Sequence, residues 1–183
     1  SYRIFQNKTV LITGHTGFKG SWLSMWLKSL GAKVIGVALD PPSQPSHFEV
    51  AGLLEILDDN QLDIRDGSAL KKLVSQTQPD FVFHLAAQAL VRKSYNDPII
   101  TYQTNTLGTL NLLEALRPLK KKCTVVLITS DKCYNNVEWV WGYKETDTLG
   151  GKDIYSGSKG AAELIFKSYF HSFFNTGTPK RFY

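Results

Sequence analysis

Apolar and polar positions fall into blocks along the chain, and the blocks predict strands and helices in alternation. Short β-branched or aliphatic runs occur at Lys8 to Thr13, Lys33 to Leu39, Asp80 to Leu85 and Thr124 to Ile128, free of internal Pro and long enough for buried parallel strands. Between them the apolar spacing turns helical. Trp22, Leu23, Met25, Trp26, Leu27 and Leu30 predict a helix from Ser21 that closes at Gly31. Leu70, Leu73 and Val74 share one face of a helix over Ser68 to Gln76, which Pro79 ends. A long helix follows Pro98, from Ile99 to Leu116, and stops at Pro118. The stretch Leu54 to Leu62 is the vaguest and holds a short third strand near Gln61 to Asp63. The final helix opens at Tyr155, with Leu164, Ile165, Phe166 and Phe170 as its expected core face. Regular β-α alternation of this kind predicts an α/β fold with a doubly wound parallel sheet.

At 183 residues the chain suits one domain. Its 43% hydrophobic and 20% charged content is globular, which argues against disorder. No run approaches the ~18 to 20 apolar residues of a membrane span, and the N-terminus lacks a signal-peptide layout. The expectation is a cytoplasmic protein. Cys123 and Cys133 form neither a C-x-x-C pair nor a His cluster, so neither a metal nor a disulfide is expected. The net charge of +5 admits an anionic partner. Lys and Arg are dispersed, though, except for Lys120-Lys121-Lys122, a solvated helix end, so a nucleotide fits better than a nucleic acid.

Candidate chemistry sits where strands end. The first strand runs into Gly14-His15-Thr16-Gly17-Phe18-Lys19-Gly20 and then a helix. In that setting glycines let the backbone approach a pyrophosphate, and the free N–H groups of the helix start favour its charge. Asp40 falls twenty positions after Gly20, where an acid meets the adenosine ribose and repels a 2′-phosphate, favouring NAD over NADP; it also opens the Pro41-Pro42 turn. Ala86-Ala87 after the fourth strand offers small side chains on which a flat ring can lie. His84 within that strand reads as a hydrogen-bonded core residue.

The fifth strand ends in Thr129-Ser130-Asp131-Lys132-Cys133-Tyr134, which places a hydroxyl, a carboxylate and an ammonium together. The loop from Asn135 to Gly151 contains Trp139, Trp141 and Tyr143, residues suited to covering a ligand or to pinning the loop. Tyr155 and Lys159, four apart, project from one side of a helix, where the ammonium favours the phenolate needed to take a proton from an alcohol.

The glycine turn, the acid after strand two, the hydroxyl after strand five and Tyr-x-x-x-Lys, in this order, resemble the extended short-chain dehydrogenase/reductase family over nearly the whole chain. Within it, Thr13 to Gly20, Ser130 to Tyr134 and Trp139 to Tyr143 resemble the CDP-glucose 4,6-dehydratases, Ser-Asp-Lys being the most specific feature. The resemblance implies a Rossmann-type domain that binds NAD and a nucleotide-sugar, CDP-glucose. It also implies a homo-oligomer when full length. The expected reaction is a redox-neutral dehydration to CDP-4-keto-6-deoxyglucose. Tyr155 would take the 4-hydroxyl proton, Lys159 would hold the phenolate and the nicotinamide ribose, and Ser130 would bond the 4-oxygen. Lys132 would accept the C5 proton and Asp131 would protonate the leaving 6-hydroxyl, burial setting both pKa values.

For the cofactor, the resemblance assigns Gly14, Gly17, Phe18, Lys19 and Gly20 to the pyrophosphate, Asp40 to ribose, and Asp63 and Ile64 to adenine. Leu85, Ala86 and Ala87 go to the nicotinamide side and Thr104 lies nearby; Gln88 goes to substrate, and Asn105 braces the loop after strand five. Relatives continue into a C-terminal substrate domain, whereas this chain ends at Tyr183 after Gly177-Thr178-Pro179-Lys180-Arg181-Phe182. The expectation is therefore one NAD-binding domain over 1–183, truncated before the substrate domain. The alternatives are a non-catalytic NAD-binding scaffold, or an epimerase or reductase of the same family.

Overall fold

In the computed structural model, which describes residues 2–175, strands β1 (Thr9–Thr13), β2 (Lys33–Ala38), β3 (Asp58–Gln61), β4 (Phe81–His84) and β5 (Thr124–Leu127) build one sheet. All pairs are parallel and the order is β3-β2-β1-β4-β5. The chain starts in the middle, winds outward through β2 and β3, then returns to β4 on the other side. The reversal between β1 and β4 opens a crevice at their carboxyl ends, where ligands of such sheets bind.

Strand β1 shows why both faces are covered. Leu11 packs with Ile35, Val37, Val82, Leu70, Val74, Leu112 and Leu116 in one cluster, while Val10 and Ile12 pack with Leu27, Ala32 and Val34 in another. Alternate side chains of a buried strand serve opposite layers, each fully buried Leu, Ile or Val contributing about 1.5–3 kcal/mol. The layers are α1 (Phe18–Ser29) with the short α2 (His47–Val50) on one face, and α3 (Gly67–Thr77), α6 (Gly108–Leu116) and α7 (Ile154–Tyr169) on the other. Helices α4 (Val91–Asn96) and α5 (Pro98–Tyr102) lead through a π-helical segment, Gln103–Leu107, into α6 (Gly108–Leu116). Helix α7 (Ile154–Tyr169) ends in a second π segment, Phe170–Phe174.

Several expectations change. The third strand lies at Asp58–Gln61, three residues earlier than expected; it has no apolar residue, and its place is set by pairing with Ile35 to Ala38 of β2. In α1 the buried line is Gly20, Ser21, Ser24 and Leu27, while Trp22 and Trp26 face outward. The helix lies too close to the glycine turn for an indole: a Cβ on Gly20 would sit 2.1 Å from the Gly14 carbonyl oxygen. Of the core face expected for the final helix, Leu164 and Phe166 are exposed and only Ile165 and Phe170 pack against the core, because the buried side of α7 is Tyr155, Ser156, Ser158, Lys159, Gly160 and Ala162. The predicted single helix to Leu116 carries the π turn, which draws Asn105 inside. Strand β5 is a sheet edge with Val126 and Ile128 exposed. The stretch from Gly177 to Tyr183, with which the expected domain over 1–183 closes, lies outside the described residues. No helix among the described residues is long and apolar enough to cross a membrane.

Candidate active site at the carboxyl ends of the strands

The glycine turn is held by backbone on both sides. Gly14 has φ +78°, and a Cβ there would lie 2.7 Å from the Ala86 nitrogen, so the turn packs directly on the segment after β4. Helix α1 has Gly17 as N-cap with no side-chain cap and no acid in its first turn. The donors of that turn are thus left for an anion. Phe18 and Lys19 are exposed beside them. These features fit a pyrophosphate, since the turn is closed to side chains and open to backbone contacts.

His15 within the turn anchors the turn to the sheet, a role that sequence reasoning missed. Its ring is fully buried, Nε2 is 2.7 Å from Asp59 Oδ1 on β3, and its edge meets the Phe48 ring. Gly36 makes the room, for a Cβ there would fall 2.4 Å from the imidazole. The signal was available: a polar ring between glycines, with a lone glycine inside the apolar second strand, implies a close approach.

The nucleoside end is arranged less simply. Asp40 lies exposed after β2, and its Oδ1 accepts from Gln61 Nε2 at 2.6 Å, so it ties the ends of β2 and β3. The Asp63 carboxylate takes a fork from Arg65 at 2.5 and 2.8 Å; that bond, against a smaller opposing effect of burial, holds it below the usual carboxylate range. Ile64 follows Asp63. Its side chain belongs to the core and fills the space over Gly108, so only its backbone can face a ligand.

The nicotinamide side is a web around His84 and Asn105. Thr13 Oγ1 lies 2.6 Å from His84 Nδ1, and Thr109 Oγ1 lies 3.0 Å from Nε2. Burial, aided by the Lys159 charge, lowers the His84 pKa to about 3, as suits a neutral core residue. Leu85, Ala86 and Ala87 follow, half-buried, with the Ala86 N–H donating to Thr13 Oγ1. Thr104 lies half-buried in the π turn. Two assignments change. Gln88 is buried, and its amide bonds Leu90 and Thr101, so its side chain braces the protein instead of reaching for substrate. Asn105 is a brace, but of other partners: it bonds the Gln88 backbone after β4 and Ser158 of α7.

The chemistry-bearing groups meet at α7. Asp153 caps this helix by accepting from the Ser156 N–H at 3.0 Å. Tyr155 and Lys159 are both buried, the ammonium 6.0 Å from the centre of the phenol ring. Burial lowers the Lys159 pKa. A 3₁₀ turn, Asp131–Cys133, packs against α7. Ser130 Oγ accepts from the Lys132 N–H at 3.2 Å and donates to Asp131 Oδ1 at 3.1 Å. Lys132 Nζ lies 3.5 Å from Asp131 Oδ2, with side-chain exposures of 52% and 86%. The expectation that burial raises the Asp131 pKa is overturned: the Ser130 hydroxyl first, then the Lys132 charge, hold it below the usual range while water surrounds it.

The loop beyond the turn is pinned and partly open. Tyr143 stacks on Tyr134 at 5.4 Å, Trp139 lies 5.5 Å from Tyr143, and the Asn135 N–H bonds the Thr148 carbonyl. Val140 and Trp141 project into solvent. The two cysteines are buried thiols, and among the described residues no His, Cys, Asp and Glu group could hold a metal ion.

A family model described as GDP-mannose 4,6 dehydratase matches residues 11–177. The chain is 53% identical to a CDP-glucose 4,6-dehydratase of Salmonella typhimurium over 171 residues, covering 93% of this chain and 48% of that protein. It is 30% identical to a CDP-paratose 2-epimerase of Salmonella typhi, covering 87% and 52%. Among solved structures it resembles a UDP-glucose 4-epimerase of Thermus thermophilus determined with NAD, at TM-score 0.77 and 30% identity, covering 90% and 51%. The chain spans about half the length of the curated relatives it matches.

Proposed function

The chain belongs to the GDP-mannose 4,6-dehydratase family, and on that premise we propose that it carries the NAD-binding and redox half of a nucleotide-sugar dehydratase acting on CDP-glucose. One observation carries the reading: the helix that holds the buried Tyr155–Lys159 pair packs against the Ser130–Asp131–Lys132 turn at the carboxyl end of β5, one strand away from the β1–β4 crevice. The similarity to a CDP-glucose 4,6-dehydratase at 53% identity supports the substrate class.

NAD, when bound, would supply an acceptor for the C4 hydride and a donor of that hydride to C6. Gly14, Gly17 and Gly20 with the Phe18 and Lys19 backbone would hold its pyrophosphate, and Asp40 its ribose, disfavouring a 2′-phosphate. Tyr155 removes the proton of the 4-hydroxyl as its phenolate, favoured by Lys159, and Ser130 bonds the same oxygen. The C4 ketone acidifies C5–H. Lys132 takes that proton and Asp131 gives one to the departing 6-hydroxyl, so water leaves; once C6 has received hydride, Lys132 returns its proton to C5, and the proton taken by Tyr155 makes good, through solvent, the one that Asp131 gave. Asp131, exposed and held below the usual range here, enters this role only when substrate and further protein cover it.

The test is product formation. Purified chain, alone and within the longest polypeptide its coding sequence specifies, is given NAD and CDP-glucose, and the 4-keto-6-deoxy product is followed. We expect the longer polypeptide to form product and Tyr155→Phe to abolish it. Turnover independent of Tyr155, or epimerisation surviving Asp131→Asn and Lys132→Ala, would sink the reading. The exposed Asp131 and Lys132 favour a second reading for the chain alone, an NAD-binding scaffold. That reading requires NAD binding without turnover, and a biological effect untouched by Lys132→Ala. We also infer self-association through α5 and α7, which leave Ile99, Tyr102, Leu164 and Phe166 exposed. Leu164→Glu should then shift the mass measured by light scattering.

A further inference from the structure

Helix α7 carries a third polar side chain in register with the first two. Glu163 lies one helical step of four residues beyond Lys159 and two beyond Tyr155. Lys and Glu four apart on a helix are neighbours and ordinarily attract. Here they do not pair: no ammonium or guanidinium lies within ion-pair distance of Glu163 among the described residues. Its carboxylate instead accepts from the Thr129 hydroxyl at 2.5 Å, at the strand end that leads into Ser130. A second contact fixes the same joint, since a Cβ on Gly160 would lie 3.2 Å from the Cys133 carbonyl oxygen.

We propose that Thr129 and Glu163 are a positioning pair that ties the Ser130–Lys132 turn to α7 and keeps the Glu163 carboxylate off Lys159. The inference rests on the redox reading of Tyr155 and Lys159. A carboxylate paired with Lys159 would cancel the field that favours the Tyr155 phenolate; one held by a neutral hydroxyl leaves the ammonium unpaired. The other groups around the pair are accounted for. His84 faces Lys159 from β4 and is kept neutral by burial. Cys133 and Tyr134 sense the Glu163 charge from the turn, and Asp131 is paired with Lys132. The Tyr102 hydroxyl of α5 lies against Gly157, and Arg92, Lys93 and Tyr95 of α4 are exposed.

The test compares Thr129→Val, Thr129→Ser, Glu163→Gln, Glu163→Leu and the double variant Thr129→Val/Glu163→Gln in the longest polypeptide the coding sequence specifies. Thr129→Val frees Glu163 to meet Lys159, so the acid limb of the pH–kcat profile moves up by about one unit. The double variant has no carboxylate to swing and returns the limb to its original place, and Glu163→Leu slows turnover about tenfold without moving it. Thr129→Ser and Glu163→Gln keep the bond and most of the activity. A Thr129→Val limb coincident with wild type, or a double variant displaced as far as Thr129→Val, overturns the proposal. Hydrogen exchange on the chain itself reads the tie without any turnover. The Lys132 and Cys133 amides, bonded to Ser130, should exchange several-fold faster in Thr129→Val and Glu163→Leu while β1 amides do not change. Equal exchange overturns the tie. Absent turnover with faster exchange locates the failure in the proposed reaction.

Discussion

The two halves of the site contrast in how far the protein encloses them. Tyr155 and Lys159 are 8% and 6% exposed, seated on a capped helix between His84 and the Asp131–Cys133 turn. Asp131 and Lys132 expose 86% and 52% of their side chains and rely on each other. Burial has already shifted the lysine of the first pair, whereas solvent leaves Asp131 an ordinary, slightly strengthened acid. Proton abstraction from an alcohol needs a cation held near a phenol, which one helix can supply. Elimination of water needs a carboxylic acid kept protonated, which takes a covering surface that the described residues do not provide.

The largest expected effect lies in the enclosed half. Lys159→Met should lower turnover of the longest polypeptide about 10²–10⁴-fold, measured as 4-keto product at saturating CDP-glucose; a loss under tenfold would make the enclosure irrelevant to chemistry. Next comes the turn beneath it. Gly20→Ala sets a Cβ 2.1 Å from the Gly14 carbonyl oxygen, where neither backbone can yield. It should cost about 1–3 kcal/mol in urea unfolding and weaken NAD binding, read by calorimetry, at least tenfold.

The enclosed half should also show in the pH dependence of stability. His84 takes up a proton near pH 3 when folded but near 6.5 when unfolded. Between those values the unfolded chain binds more protons, so stability falls as pH drops from about 6.5 toward 3. Urea midpoints at pH 7 and 4.5 should differ less in His84→Gln than in wild type. Asp131→Asn should be the mildest, within about 0.5 kcal/mol of wild-type stability and with NAD affinity unchanged. A drop comparable to Gly20→Ala would erase the distinction between the halves.

The backbone plan was legible from the chain because its signals are local. Gly14, Gly17 and Gly20 between an apolar run and a helix need only sequence neighbours to be read, and Tyr155 with Lys159 needs only the helical repeat. His84 was readable as core for the same reason, sitting inside an apolar strand. The strand Asp58–Gln61 was misplaced because its address is written in β2, not in its own four polar residues.

What folding alone decided were the contacts between residues far apart in the chain. The indoles of α1 were turned outward by the nearness of Gly20 to Gly14, a backbone approach that hydrophobicity cannot report. Gln88 and Asn105 became mutual braces because the π turn brings Asn105 inward beside the end of β4. His15 met Asp59, and Glu163 met Thr129 instead of the lysine four residues away. Sequence specified which groups are present and the local geometry of each. Only the tertiary structure could decide which are desolvated and which polar partner each keeps, because burial and hydrogen bonding depend on elements that the chain order does not place side by side.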